Sequence, residues 1–262
     1  MTLIAVTGAA GQIGRQALEA LSDDDVRAIT YRQHDAIDSV VADVTDYSSF
    51  ESAIEGADVL VHLAANPDSS ASWDAVLDTN IHGTYNAFEA ARSVGVDRVV
   101  FASSNHTTAM YNIASVDERG TMVEEEQTVV TPDTPPRPDG YYGVSKVAGE
   151  ALGCYYADRF GIDVVNFRIG WLLDRDQLRE TQNRSPDRAR FARALWLSPR
   201  DCREAVRCAV HTDLTENPLT VHVVSRNSDR YVTLTPTMRE LGYRPQDDSS
   251  EVLADSSTDS TS

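Results

Sequence analysis

The sequence predicts an α/β fold built on a doubly wound parallel sheet. Short apolar segments alternate with amphipathic helical ones from Leu3 to Ile169, the pattern of successive βαβ units. A glycine-rich turn, Gly8 to Gly14, lies between the first of these apolar segments and the first helical one. The chain has 262 residues and a hydrophobic fraction of 41%, enough to bury one such core with a small appendage.

The elements follow in order. Leu3 to Val6 is an apolar strand, Thr7 to Gly14 a turn, and Arg15 to Leu21 a helix. Val26 to Tyr31 reads as the second strand, Tyr47 to Glu55 as a helix and Val59 to Leu63 as a buried strand. Trp73 to Val96 has apolar residues at helical spacing, and Val99 to Ala102 is the next strand. Tyr141 to Phe160 is a long helix, followed by a strand over Val164 to Ile169. Beyond Gly170 the pattern loosens: a charge-rich stretch from Leu173 to Arg193, a helix over Asp201 to His211, and a strand over Leu219 to Val224. The organisation is therefore a Rossmann-type domain over 1–169, a small substrate-binding part integrated with it over 170–248, and an acidic, disordered tail over 249–262.

Composition narrows the partners. A net charge of −18, with the acids spread along the chain, excludes nucleic acid and anionic membrane surfaces. It also suits a high-salt, halophilic setting where self-repulsion is screened. No apolar run reaches membrane-span length and the N-terminus lacks a basic leader, so a cytoplasmic protein is expected. Cys154, Cys202 and Cys208 have neither disulfide nor zinc spacing, and no metal site is expected. Of the 23 basic residues, 22 are arginine, and the single lysine is Lys146.

Gly8, Gly11 and Gly14 form a G-x-x-G-x-x-G turn in which Gln12 and Ile13 open the helix. Such a turn brings backbone N–H groups and a helix N-terminus to a pyrophosphate, so a nicotinamide dinucleotide is the expected cofactor. Asp43 and Val44 follow a strand where a carboxylate can accept the adenine amino group. Leu63, Ala64 and Ala65 end the strand matching Val59 to Leu63 with small residues against which a cofactor can lie, and Asn80 falls in the next helix. The second strand ends in Thr30-Tyr31-Arg32 without the carboxylate that would chelate a ribose 2′-hydroxyl. Arg32 suits a 2′-phosphate, which favours NADP and leaves NAD possible.

Tyr142 and Lys146 stand four residues apart, on one face of a helix. Oxidation of a carbinol needs a base, and a cation one turn away lowers the tyrosine pKa from its usual value of about 10. Lysine can also donate to the nicotinamide ribose in a way arginine's wide, planar head does not reproduce. Ser104, at the end of a strand, is placed to hold the substrate oxygen beside the tyrosine, with Asn105 and His106 next to it for neighbouring hydroxyls.

Together, the glycine turn, Ser103 to Thr107, Arg137 to Lys146 and Leu241 to Pro245 resemble the extended short-chain dehydrogenase/reductase family. Within it they look closest to a branch of uronate dehydrogenases and halophilic sugar dehydrogenases. The resemblance implies oxidation of a cyclic sugar at C1 to a lactone. It also implies Ser104, Tyr142 and Lys146 as the catalytic set, Asn105 and His106 on the sugar, and a homodimer or homotetramer. Two serines that contact substrate in the uronate enzymes are replaced here by Pro67 and Trp171, which argues against a uronate.

Six arginines lie between Leu173 and Arg193. Arg190 and Arg193 are candidates for gripping a phosphate or carboxylate on the sugar; otherwise these are solvated charges and the sugar is a neutral aldose. Nucleotide-sugar epimerases and dehydratases share the fold and the tyrosine–lysine pair, but their bulky substrates need a larger C-terminal part. The 93 residues after Ile169 favour a small substrate. A non-catalytic cofactor sensor often loses the tyrosine or lysine, and both are present here.

Overall fold

The computed structural model describes residues 2–115 and 117–255. Strands β1 (Leu3–Thr7), β2 (Asp25–Thr30), β3 (Val40–Val41), β4 (Val59–His62), β5 (Arg98–Ser104), β6 (Asp163–Ile169) and β9 (Leu219–Val223) form one sheet. Its order is β3-β2-β1-β4-β5-β6-β9, with every pairing parallel. The chain runs outward in one direction from β1 and then in the other from β4. The ends of β1 and β4 therefore diverge at a topological switch point, where ligands of such sheets bind.

Both faces of the sheet are covered, so its central strands bury apolar residues on both sides. On one side lie α1 (Gln12–Ala20) and α8 (Pro199–His211), over a core that includes Ile4, Val6, Leu21, Val100, Phe167 and Val206. On the other lie α2 (Tyr47–Ile54), α4 (Gly83–Val94) and α5 (Tyr141–Phe160), over Phe50, Leu60, Phe88, Phe101 and Tyr156. The helical run from Trp73 is three pieces: α3 (Trp73–Val76), a π-helical turn (Leu77–His82) and α4. A π turn inserts one residue and re-aims its side chains, a feature that concentrates at functional sites.

Beyond β6 come the short pair β7 (Trp171–Leu172) and β8 (Trp196–Leu197), then α6 (Arg175–Thr181), α7 (Pro186–Leu195), α9 (Thr235–Glu240) and α10 (Ser249–Asp255). The charge-rich stretch is thus two helices. Asp174 caps α6 with a reciprocal Gln177 bond, and Ser185-Pro186 opens α7. The sequence reading also needs correction at its end. Ser249–Asp255 is a helix rather than a disordered tail, because Val252 packs with Leu173, Leu178 and Trp196 and Ser249 Oγ donates to the Arg193 carbonyl at 2.9 Å. The remainder of that predicted tail, 256–262, lies outside the described residues. The C-terminal part is integrated through β9, which extends the sheet beside β6.

Candidate active site

A cleft of about 840 Å³ opens at the C-terminal ends of β1, β2, β4 and β5. One end is the glycine turn. Gly8 has φ +62°, and a Cβ there would stand 2.9 Å from the Ala64 nitrogen, so the two chain ends touch only because residue 8 has no side chain. A Cβ on Gly14 would overlap the Gly8 carbonyl and Ala9. Gly11 is the N-cap of α1 and offers no side-chain cap, which leaves the first helical N–H groups to the cleft alongside Gln12 and Ile13. This cradle fits a dinucleotide pyrophosphate.

Arg32, Asp43 and Val44, the residues expected to meet the adenosine, all line the cleft. Arg32 is exposed and makes no ion pair among the described residues. Asp43 Oδ1 already accepts from the Thr45 nitrogen and hydroxyl, at 2.9 and 2.8 Å. Where an acidic residue would sit, buried Thr30 pairs its hydroxyl with Ser39 at 2.7 Å. Leu63, Ala64 and Ala65 line the cleft between these residues and Ser104, Tyr142 and Lys146.

Asn80 does not line the cleft, contrary to the sequence reading; Asp78 and Thr79 do. Its buried side chain accepts from the Asn66 nitrogen at 2.7 Å and donates to Ser145 Oγ at 3.2 Å, and that hydroxyl donates to the Tyr142 carbonyl at 2.7 Å. The π turn aims Asn80 inward, so it ties the loop after β4 to the helix carrying Tyr142. A second chain meets it from behind. Thr7 Oγ1 accepts from the Leu63 and Ala64 nitrogens, each at 3.0 Å, and so turns its own proton to His62 Nδ1. His62 Nε2 then faces Thr84 Oγ1, which donates to the Asn80 carbonyl at 2.6 Å. Burial, reinforced by the Lys146 charge, pushes His62 down to about 3, so the ring is neutral. Sequence reasoning missed Thr7, His62, Thr84 and Ser145, whose only signal was polarity inside apolar segments.

Ser104, Tyr142 and Lys146 converge at the other end of the cleft. β5 runs to Ser104, two residues further than predicted, because both serines remain in register with β6. Ser104 lies beside Tyr142, and its hydroxyl acts to lower the phenol's pKa. Lys146 is buried, its Nζ 5.5 Å from the centre of the Tyr142 ring and 5.1 Å from that of Phe101. The expected lowering of the tyrosine by the lysine charge is reversed here. Burial raises Tyr142, with Ser104 working against it, and burial alone brings Lys146 down to about 7. Desolvation is the leading cause for both groups.

α5 is pinned to the sheet by a buried triad that the sequence did not reveal. Glu150 accepts from Arg168 at 2.8 and 2.9 Å and from the Ser103 hydroxyl at 2.5 Å. Asn105 is buried beside Ser104, and its Nδ2 has no hydrogen-bond partner. His106 stands edge-on to Tyr142, with ring centres 5.6 Å apart, and Phe191 packs between His106 and Trp171. Contrary to the sequence reading, neither Asn105 nor His106 is among the residues lining the cleft itself. Arg190 and Arg193 are not part of this cleft. Arg190 pairs with Glu124 and Asp187 at 3.1 and 3.0 Å, and Arg193 with Asp229 at 3.0 Å, around a separate small polar cavity. α7 turns Phe191, between them, toward the site instead.

Residues 4–184 match the NAD dependent epimerase/dehydratase family. The chain belongs to that family. Among its relatives is the L-arabinose 1-dehydrogenase (NAD(P)(+)) of Haloferax volcanii, 53% identical over 97% of this chain and all of that protein. The NAD-dependent glucose-6-phosphate dehydrogenase of the same organism is 37% identical, over 95% of this chain and 94% of that protein. The crystal structure of uronate dehydrogenase from Agrobacterium tumefaciens superposes with a TM-score of 0.78 at 30% identity, covering 100% of this chain and 90% of that one. The family member described here thus sits with sugar dehydrogenases in both sequence and fold.

Proposed function

We propose that the protein oxidises a neutral aldose at C1 to the corresponding lactone, with NAD or NADP as acceptor. The carrying observation is that Ser104, Tyr142 and Lys146 converge at one end of a cleft, while Arg190 and Arg193, the candidates for gripping an anionic sugar, are held in ion pairs outside it. An anionic sugar at that end would lack the paired hydrogen bonds a guanidinium supplies. The 53% identity to an L-arabinose 1-dehydrogenase supports the same reading.

The dinucleotide supplies the hydride acceptor. Tyr142 Oη takes the proton of the C1 hydroxyl, and Ser104 Oγ holds the same oxygen in place while the charge shifts. Lys146 would stabilise the phenolate that accepts this proton and would donate to the cofactor ribose. Arg32 and the Thr30–Ser39 hydroxyl pair favour a 2′-phosphate while admitting NAD. The exposed Tyr141, Val144, Tyr155 and Phe160 on α5 and Tyr85 on α4 support self-association through this pair of helices. No helix among the described residues is long and apolar enough to cross a membrane.

The test is a substrate panel in molar salt: L-arabinose, glucose, glucuronate, glucose 6-phosphate and a nucleotide sugar, each with NAD and NADP. A neutral aldose is expected to reduce the cofactor best. Preference for an anionic sugar removes the neutral-substrate reading, and epimerisation of the nucleotide sugar without aldose oxidation removes the dehydrogenase. Arg32→Ala is expected to weaken NADP binding and leave NAD nearly unchanged; equal effects on both make Arg32 a surface residue only.

A further inference from the structure

Asp139 is the residue before the N-cap of α5, and its carboxylate is 1% exposed. Both of its oxygens face one nitrogen, His106 Nδ1, at 2.8 and 3.0 Å. Two backbone bonds join the chain segments of this corner: the Arg137 nitrogen donates to the Thr107 carbonyl at 2.8 Å, and the Met110 nitrogen to the Arg137 carbonyl at 3.1 Å. Arg119 Nε donates to the Asp139 carbonyl at 3.0 Å, and the His106 nitrogen is capped by Ser104 Oγ at 3.2 Å. Gly143 lets the first turn of α5 press against the His106 carbonyl, where any Cβ would collide. The dyad is therefore held from both sides. His106 Nε2, in contrast, has no hydrogen-bond partner among the described residues, and the ring meets Tyr142 edge-on.

A carboxylate so buried needs a donor. The tautomer with a bare Nδ1 would set a lone pair against both oxygens, so the proton belongs on Nδ1. In the neutral ring this leaves Nε2 as an acceptor. We propose that Asp139 is a positioning residue: it holds His106 in the Nδ1–H tautomer, so that Nε2 accepts a hydrogen bond from a hydroxyl of the sugar bound beside Tyr142. The acceptor half of this statement rests on the aldose reading above. A hydroxyl donates to such a nitrogen, whereas a carboxylate or phosphate oxygen does not, so the dyad selects for hydroxylated, uncharged surface at this point of the substrate.

Two measurements on the full chain test it. Long-range nitrogen–proton NMR spectra of histidine-labelled protein are expected to show His106 protonated on Nδ1 and bare on Nε2, and Asp139→Asn to populate the other tautomer. In kinetics, Asp139→Asn is expected to raise KM for the aldose about tenfold, with kcat and cofactor Kd each within about threefold, as for loss of one oriented hydrogen bond. Added to His106→Ala, the same change is expected to move KM by less than about twofold, because the residue it acts through is gone. An Nε2–H tautomer in the wild type overturns the proposal, and so does an equal effect of Asp139→Asn in both backgrounds. Failure of the wild type to oxidise any aldose sinks the substrate reading and the acceptor role with it. Normal aldose oxidation with the wrong tautomer sinks the proposal alone.

Discussion

Residues 2–169 and 170–255 are assembled by different means. In the first part, side chains reach the cleft because a strand ends there: Gly8 after β1, Leu63 after β4, Ser104 at the end of β5. In the second, helices are fastened to the loops around them by ion pairs, such as Arg193 with Asp229, Arg226 with Glu251, and Arg200 with Asp247. A strand end is encoded locally, whereas an ion pair depends on a partner from anywhere in the chain. That difference explains why the arginines of α7 were natural sequence candidates for substrate contact and yet serve as fasteners.

The sharpest test of the contrast is Tyr142→Phe, which removes one oxygen from a site made by strand ends and helix register. Turnover is expected to fall about 10²- to 10⁴-fold, as for loss of a general base, while cofactor binding persists. Steady-state rates and a fluorescence titration of the cofactor separate the two, and near-normal turnover would mean that the first part does not hold the chemistry.

Acid titration probes buried groups in both parts. Burial pushes His62, in β4, and His222, in β9, down to about 3 from 6.5. Their folded values lie below the unfolded one, so the unfolded chain binds protons first. Stability is then fully present above about pH 6.5 and is lost as pH falls toward 3. With both histidines titrating, the slope reaches about 2.7 kcal/mol per pH unit. Urea midpoints measured from pH 7 to pH 4 check this, and His62→Gln is expected to remove about half of the slope.

Lys146→Arg preserves the charge but alters shape and reach, and at least a tenfold loss of turnover is expected, about 1.4 kcal/mol of barrier. Lys146→Met is expected to abolish turnover yet raise the melting temperature at neutral pH. Burial holds this lysine near 7 against an ordinary 10.5, so the folded state is penalised most below pH 7, and the penalty fades as pH approaches 10.5. Calorimetry at pH 7 and pH 10 distinguishes that sign from a purely structural role.

The smallest effects are expected from Arg190→Ala and Arg193→Ala. Each is expected to lower stability by about 1 kcal/mol or less, since partly exposed ion pairs contribute little, and neither is expected to alter the ranking of neutral over anionic sugars. A selective loss of an anionic substrate would return these arginines to the site and erase the contrast between the two parts.

Much of the candidate site was legible because backbone chemistry demanded it. A glycine at φ +62° has no substitute at residue 8, and a tyrosine and lysine four residues apart on a helix share a face wherever that helix lies. Asn80 was misassigned because a π turn, invisible in a helical hydrophobic pattern, rotates it away from the cleft. The helix Ser249–Asp255 was misread because its composition is acidic and polar, and only Val252 and Leu253 record that it packs.

The sequence by itself determined the parallel sheet, the dinucleotide turn and the tyrosine–lysine pair, since each follows from local periodicity or from a residue type that one backbone conformation requires. Tertiary structure alone decided the rest. It joined Asp139 to His106 across 33 residues of chain and Thr7 to His62 across 55, and it gave Glu150 to Arg168 rather than to solvent. It also reversed the expected tyrosine shift. Charge and hydrogen-bonding capacity are written in the chain, but desolvation and the choice of partner are set by burial, which exists only once the elements have packed.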